Sequence, residues 1–314
     1  MTGWKRVWQH GSGRGRRQSR PEARPLAGIL AAVVAVLGVV PGPGPAPARA
    51  AAGCGAAATG AAKTVEGLPR ESGEASGLAT STGQPGVAWM VRDSGHPPSL
   101  YALRIAPDGT ASSREIPVAG AENHDWEDVT YFTGPDGSGH LWVVESGQGG
   151  GNRFIYDIPE PDATTATSVR PLARYTYAYP DRNTNTEAAF TWNGHLVLVT
   201  KSFPARVYRF DAPLDAGRLN RPVFLGELTD GNGVSVVKPS PDGRWIAAST
   251  HDTVYLYRNA RDPGALEGFL DTEPFHVLVA APGDNVESGD FYPAGSCQLL
   301  LCSEQRNTYR LTSE

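Results

Sequence analysis

Apolar residues in this chain come in short runs of four to six, each closed by a polar residue and separated from the next by Gly, Pro, Asn or Asp; no long run follows a helical period. The pattern predicts short strands joined by turns. Three registers of that pattern repeat in phase. The first is an apolar run ending in a polar residue: AWMVRD to Asp93, LWVVE to Glu145, LVLVTK to Lys201, IAASTH to His251 and LLLCSE to Glu304, at spacings of 52, 56, 50 and 53. The second is a tyrosine in the following strand, Tyr101, Tyr156, Tyr208, Tyr255 and Tyr309, read as core packing. The third lies upstream of each run, in GEASGLA, DWEDVTYF, NTEAAFTW, GVSVVKP and NVESGDF. Hairpin chemistry joins the third register to the first: PDGSG at 135–139, Asn193-Gly194, Pro241-Asp242-Gly243 and Pro293-Ala294-Gly295.

Each unit therefore reads as strand, turn, strand, loop, strand and a less regular fourth strand such as SSREIPV or RPVFLGELT. Four-stranded units at a period near fifty residues are the signature of propeller blades. The expectation is an all-β, five-bladed β-propeller with four-stranded blades, six blades being the alternative. The last unit stops after its third strand, so the N-terminal segment KTVEGLP, 63–69, is expected to supply the missing strand and leave no edge exposed.

The first fifty residues break the pattern. Lys5, Arg6, Arg14, Arg16, Arg17, Arg20 and Arg24 precede an apolar stretch from Leu26 to Val40, and Ala48-Arg49-Ala50 follows. A basic segment, a fifteen-residue apolar core and a small-x-small site read as a secretory signal peptide over 1–50, with the export route left open between the general and twin-arginine pathways. A linker over 51–62 and a propeller domain over 63–314 complete the expected organisation, with no transmembrane segment in the mature chain.

Removing the leader takes away eight basic residues and one acid, so the formal charge moves from −5 to −12. A domain that acidic does not attract nucleic acid by bulk electrostatics; it attracts cations. Of the three cysteines, Cys297 and Cys302 flank a QLLL strand that would hold them roughly 16 Å apart, beyond disulfide reach. A bond from Cys54 to one of the two is expected. Lipid anchoring through Cys54, after Ala51-Ala52-Gly53, is the alternative to a secreted, extracellular protein.

In a propeller the innermost strands begin, and the second strands end, on one face. An inner ring of Glu74, Glu127, Glu187, Val234 and Glu287 and an outer ring of Asp93, Glu145, Lys201, His251 and Glu304 are thus expected around one channel mouth. Four converging glutamates raise one another's pKa values unless a cation sits among them or they stay well solvated at the strand starts, and Ser72, Asp125, Asn185 and Asn285 add oxygens two residues upstream. Oxygen-only donors suit a hard divalent cation, Ca²⁺ first. The expected metal ligands are therefore Glu74, Glu127, Glu187 and Glu287. Asp93, Glu145, Asn185, Lys201, His251, Asn285 and Glu304 are expected to meet a ligand, and His124 or Asp125 to act as base. Arg153 is a further candidate for an anionic group. The chain holds no HExxH, no CxxC pair and no nucleophile elbow, and the glycines at 147 and 149–151 precede no helix that would make them a phosphate cradle.

The stretches EASGLA, NHDWEDVTYF with GNRFIYDIPEP, YPDRNTNTEAAF with LVTK, and KPSPDGRW resemble a group of exported actinobacterial propellers. That group is similar to the phytase-like esterase, SdiA-regulated and gluconolactonase-like propeller families. The resemblance implies channel roles for Glu127, Glu187 and Lys201, a channel Ca²⁺, and hydrolysis of lactones or phosphate esters. It departs where the group carries an acidic Asp-Asn-rich loop, here 146–151, and where it carries an Asp before the SPDG turn, here Lys238. The functional expectation is a metal-dependent hydrolase of a lactone, ester or phosphoester in a small anionic or sugar-like ligand, acting as a monomer. The alternative is a non-catalytic envelope propeller that binds a protein or glycan partner.

Overall fold

The structure is a computed structural model and describes residue 54 and residues 63–65, 73–106, 110–146, 153–181, 185–259, 264–270, 272–278, 285–305 and 308–311. The expected leader, most of the expected linker, Ser72 and the 147–151 glycine run lie outside them.

The described residues form an all-β, propeller-like arrangement of four-stranded antiparallel sheets. One sheet is β2 (Ala75–Thr80), β3 (Val87–Arg92), β4 (Ser99–Ile105) and β5 (Ala111–Pro117) in that order; the next is β6 (Trp126–Thr133), β7 (Gly139–Glu145), β8 (Arg153–Pro159) and β9 (Ala173–Tyr177). Then come β10 (Thr186–Trp192), β11 (His195–Thr200), β12 (Arg206–Arg209) and β13 (Val223–Glu227), followed by β14 (Val236–Pro239), β15 (Trp245–Ser249), β16 (Thr253–Arg258) and β17 (Phe275–Leu278). The last sheet holds β18 (Val286–Phe291), β19 (Leu299–Ser303) and β20 (Thr308–Leu311), with β1 (Lys63–Val65) antiparallel to β20 in the register Thr64 to Tyr309.

The hairpins form where the turn residues demand them. Asn193 and Gly194 both take positive φ, 49° and 79°, the pairing a two-residue turn needs to match strand twist, and His195 pairs back to Trp192 directly behind it.

Apolar side chains pack between sheets rather than within one. Trp89 of β3 and Trp126 of β6 share a core with Val143 and Tyr156, while Trp142 and Tyr177 meet Leu198 and Tyr208 of the next sheet. Val197 and Phe190 continue the seam to Ile246 and Phe269, Val236 and Trp245 to Phe291 and Leu301, and Leu300 and Tyr292 to Leu78 and Met90. Each fully buried aromatic or aliphatic side chain stabilises the packing by about 1.5–3 kcal/mol, so the sheets hold each other through these seams. Of the repeated tyrosines, Tyr101, Tyr156 and Tyr208 are buried as expected, whereas in the fourth unit Tyr257 is the buried one and Tyr255 packs half-exposed at the edge of the core.

Cys54 is joined to Cys297 with the Cα atoms 5.2 Å apart, and Cys302 is buried among Leu300, Met90 and Tyr101. The backbone around Cys54 is fixed as well: its N–H donates to Asp242 Oδ2 at 2.6 Å and its carbonyl accepts from Trp245 Nε1 at 2.8 Å. Lipidation of Cys54 needs the sulfur that this bond uses, so the disulfide and the lipid anchor exclude each other. Among the described residues no helix is long and apolar enough to cross a membrane.

Candidate functional site

A bulge shapes the start of the innermost strand in four sheets. The pairing with the second strand slips between Ala75 and Gly77, Trp126 and Asp128, Thr186 and Ala188, and Val286 and Ser288. The bulged residues are therefore Ser76, Glu127, Glu187 and Glu287, left without a ladder partner and re-aimed by the local bend. Backbone bonds set the level above them: Asp93 N–H donates to Glu74 O, Ser146 to Asp125 O, Lys201 to Asn185 O and Glu304 to Asn285 O, at 2.9–3.2 Å.

These bonds correct the expected rings. Glu74 is equivalent to Asp125, Asn185 and Asn285, and it is Ser76 that matches the three glutamates. Ser146, not Glu145, shares the level of Asp93, Lys201 and Glu304; Glu145 lies one step inside, fully buried opposite Trp126, accepting the His124 N–H at 2.9 Å. In the fourth sheet Val236 pairs with Ser249 without a bulge, and the Thr250 N–H turns back to Thr253 O at 2.9 Å instead of making the bond seen in the other four sheets. Val234 is buried in the core and faces no channel.

A cavity of about 380 Å³ opens at this mouth, lined by Glu74, Ser76, Asp93, Glu127, Asn185, Glu187, Lys201, Glu287 and Glu304. Its charge is unevenly neutralised. Lys201 Nζ lies 3.0 Å from Glu187 Oε2 and 3.7 Å from Glu287 Oε2, and His251 Nδ1 approaches Glu287 Oε1 at 3.7 Å. Asn185 Nδ2 donates to the other Glu187 oxygen. At the outer rim Glu74, whose side chain is 61% exposed, pairs with His96, and Asn285 Nδ2 donates to Glu304 at 3.2 Å.

At the same mouth Asp93, Asp125 and Glu127 bring carboxylate oxygens within 4.8 Å of one another, a group able to hold a metal ion. Ser146 Oγ donates to Asp125 and lies 3.1 Å from Asn185 Oδ1, while Ser76 Oγ donates to Glu127 O at 2.7 Å. Asp125 and Glu127 are both buried.

Burial, then the neighbouring charges of Glu187, Asp93 and Asp125, holds the Glu127 carboxyl well above the usual carboxylate range. Burial raises Glu187 too, against the pull of Lys201. Asp93 is raised by burial, partly offset by the Ser94 N–H, with Asp125, Glu74 and Glu304 adding to the rise. Glu74 goes the other way, lowered chiefly by its bond to His96. Burial opposes the charge on Lys201, but Glu187 and Glu287 outweigh it and raise its pKa. Carboxylate and amide oxygens with no sulfur or imidazole among them make a donor set for a hard divalent cation, so the residues present fit the expected group.

His124 and Arg153 stand outside the cavity. The His124 ring is 69% exposed and 3.5 Å from Glu122, and the Arg153 guanidinium lies over the Tyr179 ring at 5.8 Å. Sequence reading missed Ser76 and Ser146, which hold the acids in place, and the pair beneath them: Lys238 Nζ contacts Asp128 Oδ2 at 2.9 Å, both residues buried. Their signal was present in the WED triplet and in the lysine before SPDG.

No family model and no curated protein matches the chain. Among solved structures it is similar to the X-ray structure of a protein named gluconolactonase by family assignment, at 16% identity and a TM-score of 0.43, over 78% of this chain and 76% of that one.

Proposed function

We propose that the mature protein is a secreted five-bladed propeller, closed by β1, that binds a divalent cation in its acidic mouth and hydrolyses a lactone, ester or phosphoester of a small anionic or sugar-like ligand. The cation, Ca²⁺ first, is held by Asp93, Asp125 and Glu127, with Glu187 and Asn185 at the border of the set. The observation that carries this reading is the Asp93–Asp125–Glu127 convergence, with oxygens within 4.8 Å. Three carboxylates so close and so shielded repel one another, and a cation is the simplest group that relieves them.

A bound divalent cation polarises an ester, lactone or phosphoryl oxygen and lowers the pKa of bound water. The chain's own residues supply the rest. The Lys201 ammonium meets an anionic substrate group. Glu187, protonated more readily than an ordinary carboxyl and hydrogen-bonded to Lys201 and Asn185, passes a proton to or from the reacting oxygen.

Calorimetry with Ca²⁺ on the mature domain, alongside a screen of lactones, phosphomonoesters and aryl esters with and without chelator, tests the proposal. Micromolar to millimolar Ca²⁺ binding lost on Glu127→Gln, with chelator-sensitive turnover, is the expected result. No binding at millimolar metal and no turnover of any class would overturn it.

A further inference from the structure

Beneath the mouth, where the innermost strands crowd together, four oxygens surround one ammonium. Lys238 of β14 is 3% exposed, and its Nζ lies 3.0 and 2.9 Å from the two carboxylate oxygens of Asp128 on β6, 3.0 Å from Val129 O and 2.9 Å from Ala189 O on β10. An ammonium carries three protons, and the Asp128 carboxylate with the Val129 and Ala189 carbonyls offers three acceptor groups, one for each. Together the three groups form a shell shaped for one buried ammonium. The shell is itself fixed. Asp128 Oδ2 accepts Ala189 N–H at 2.6 Å and Oδ1 accepts Val129 N–H at 2.7 Å, and a Cβ on Gly77 would lie 2.6 Å from Asp128 Cα, so β2 presses close on the third side. Asp290 on β18, bonded to the Thr80 and Phe291 N–H groups, is the next carboxylate in the Lys238 field.

We propose that Asp128 and the carbonyls of Val129 and Ala189 form an internal cation site on the propeller axis that the chain fills with its own Lys238 ammonium, and that accepts a free ammonium ion when Lys238 is cut back. One carboxylate in direct contact calls for one positive charge, which makes the natural occupant monovalent. The filled site also serves the mouth. Asp128 follows the bulged Glu127, and Ala189 lies two residues beyond the bulged Glu187, so a single ammonium tied to both strands fixes the separation of the two glutamates. Lys238 is thus a positioning residue for the mouth. This inference stands independently of whether the mouth takes a metal.

The test is thermal unfolding of Lys238→Ala and of wild type in ammonium chloride and in tetramethylammonium chloride at equal ionic strength. The variant is expected to melt about 10 °C lower, since removing one partner strands a buried charge. Ammonium should restore roughly half of that loss, whereas tetramethylammonium, too large for the cage, restores none. Wild type should not distinguish the salts. Equal melting of the variant in both salts, or an equal ammonium response of wild type, overturns the proposal. Wild-type protein supplies a second readout by ¹⁵N NMR: a caged Lys238 ammonium keeps its protons long enough to be observed, and exchange at the rate of a surface lysine sinks the idea even if the variant does not fold.

Discussion

Lys201 Nζ lies 3.0 Å from Glu187 Oε2, so Glu187 has an ammonium partner at the mouth where Asp93, Asp125 and Glu127 bring their carboxylate oxygens together. The lysine side chain is 30% exposed and the glutamate 6%, so the pair is screened on one side only.

Lys201→Met removes positive charge from the cavity wall. Lys201 is part-exposed, so its repulsion of a cation at the mouth is worth on the order of 1.4 kcal/mol after solvent screening, and Ca²⁺ should bind roughly tenfold tighter to the variant while an anionic ligand binds more weakly. Calorimetric titration of both ligands checks the opposite signs; parallel changes would count against this repulsion.

The pH dependence follows from Glu127, Glu187 and Asp93, all raised by burial. A raised carboxyl keeps its proton in the folded chain and loses it in the unfolded one, so the folded state binds more protons. Stability therefore falls as pH rises above about 4.5, the ordinary glutamate range, and goes on falling until the folded groups ionise. Without cation, Tm should decline between pH 5 and neutrality, and the stabilisation by Ca²⁺ should grow over the same interval as protons are displaced. Calorimetric scans across that range, with and without Ca²⁺, measure both; a Tm that climbs with pH in chelator would contradict the burial of these acids.

Gly77→Ala places a Cβ 2.6 Å from Asp128 Cα, a contact with backbone that cannot swing away. The cost is about 1–3 kcal/mol from overpacking, and because Asp128 adjoins Glu127 the variant should also lose cation affinity at the mouth. Denaturant titration and calorimetry separate the two effects. An unchanged midpoint would show that β2 and β6 do not approach as described.

Reducing the Cys54–Cys297 bond opens a loop spanning a sequence separation of 243 residues, which should cost about 2–5 kcal/mol by the unfolded-state entropy argument. Tm with and without reductant reads it, and mass spectrometry of protein exported from its host should find the two cysteines joined with no lipid on Cys54.

The repeat, the strands and the hairpins were legible because each rests on local chemistry: an apolar run of strand length, a turn residue tolerant of positive φ. The charged groups around the mouth were legible in kind, since Glu127, Glu187, Asp93 and Lys201 were all expected near one opening and line one cavity. Their register was not. An acid stands two residues before Ser76 and another directly before Ser146, and residue type alone favours Glu74 and Glu145 over the serines that the strand pairing puts at those levels.

By itself, then, the sequence determined that strands recur in four-stranded units and that their polar ends gather acid, because periodicity and turn propensity act within a few residues. Only the tertiary structure decided which acids face a common point, that Lys201 pairs with Glu187, and that Lys238 reaches Asp128 and the carbonyls of Val129 and Ala189. Those outcomes depend on close approach between strands sixty to more than a hundred residues apart, where burial removes water and a single ångström decides whether a charge is paired.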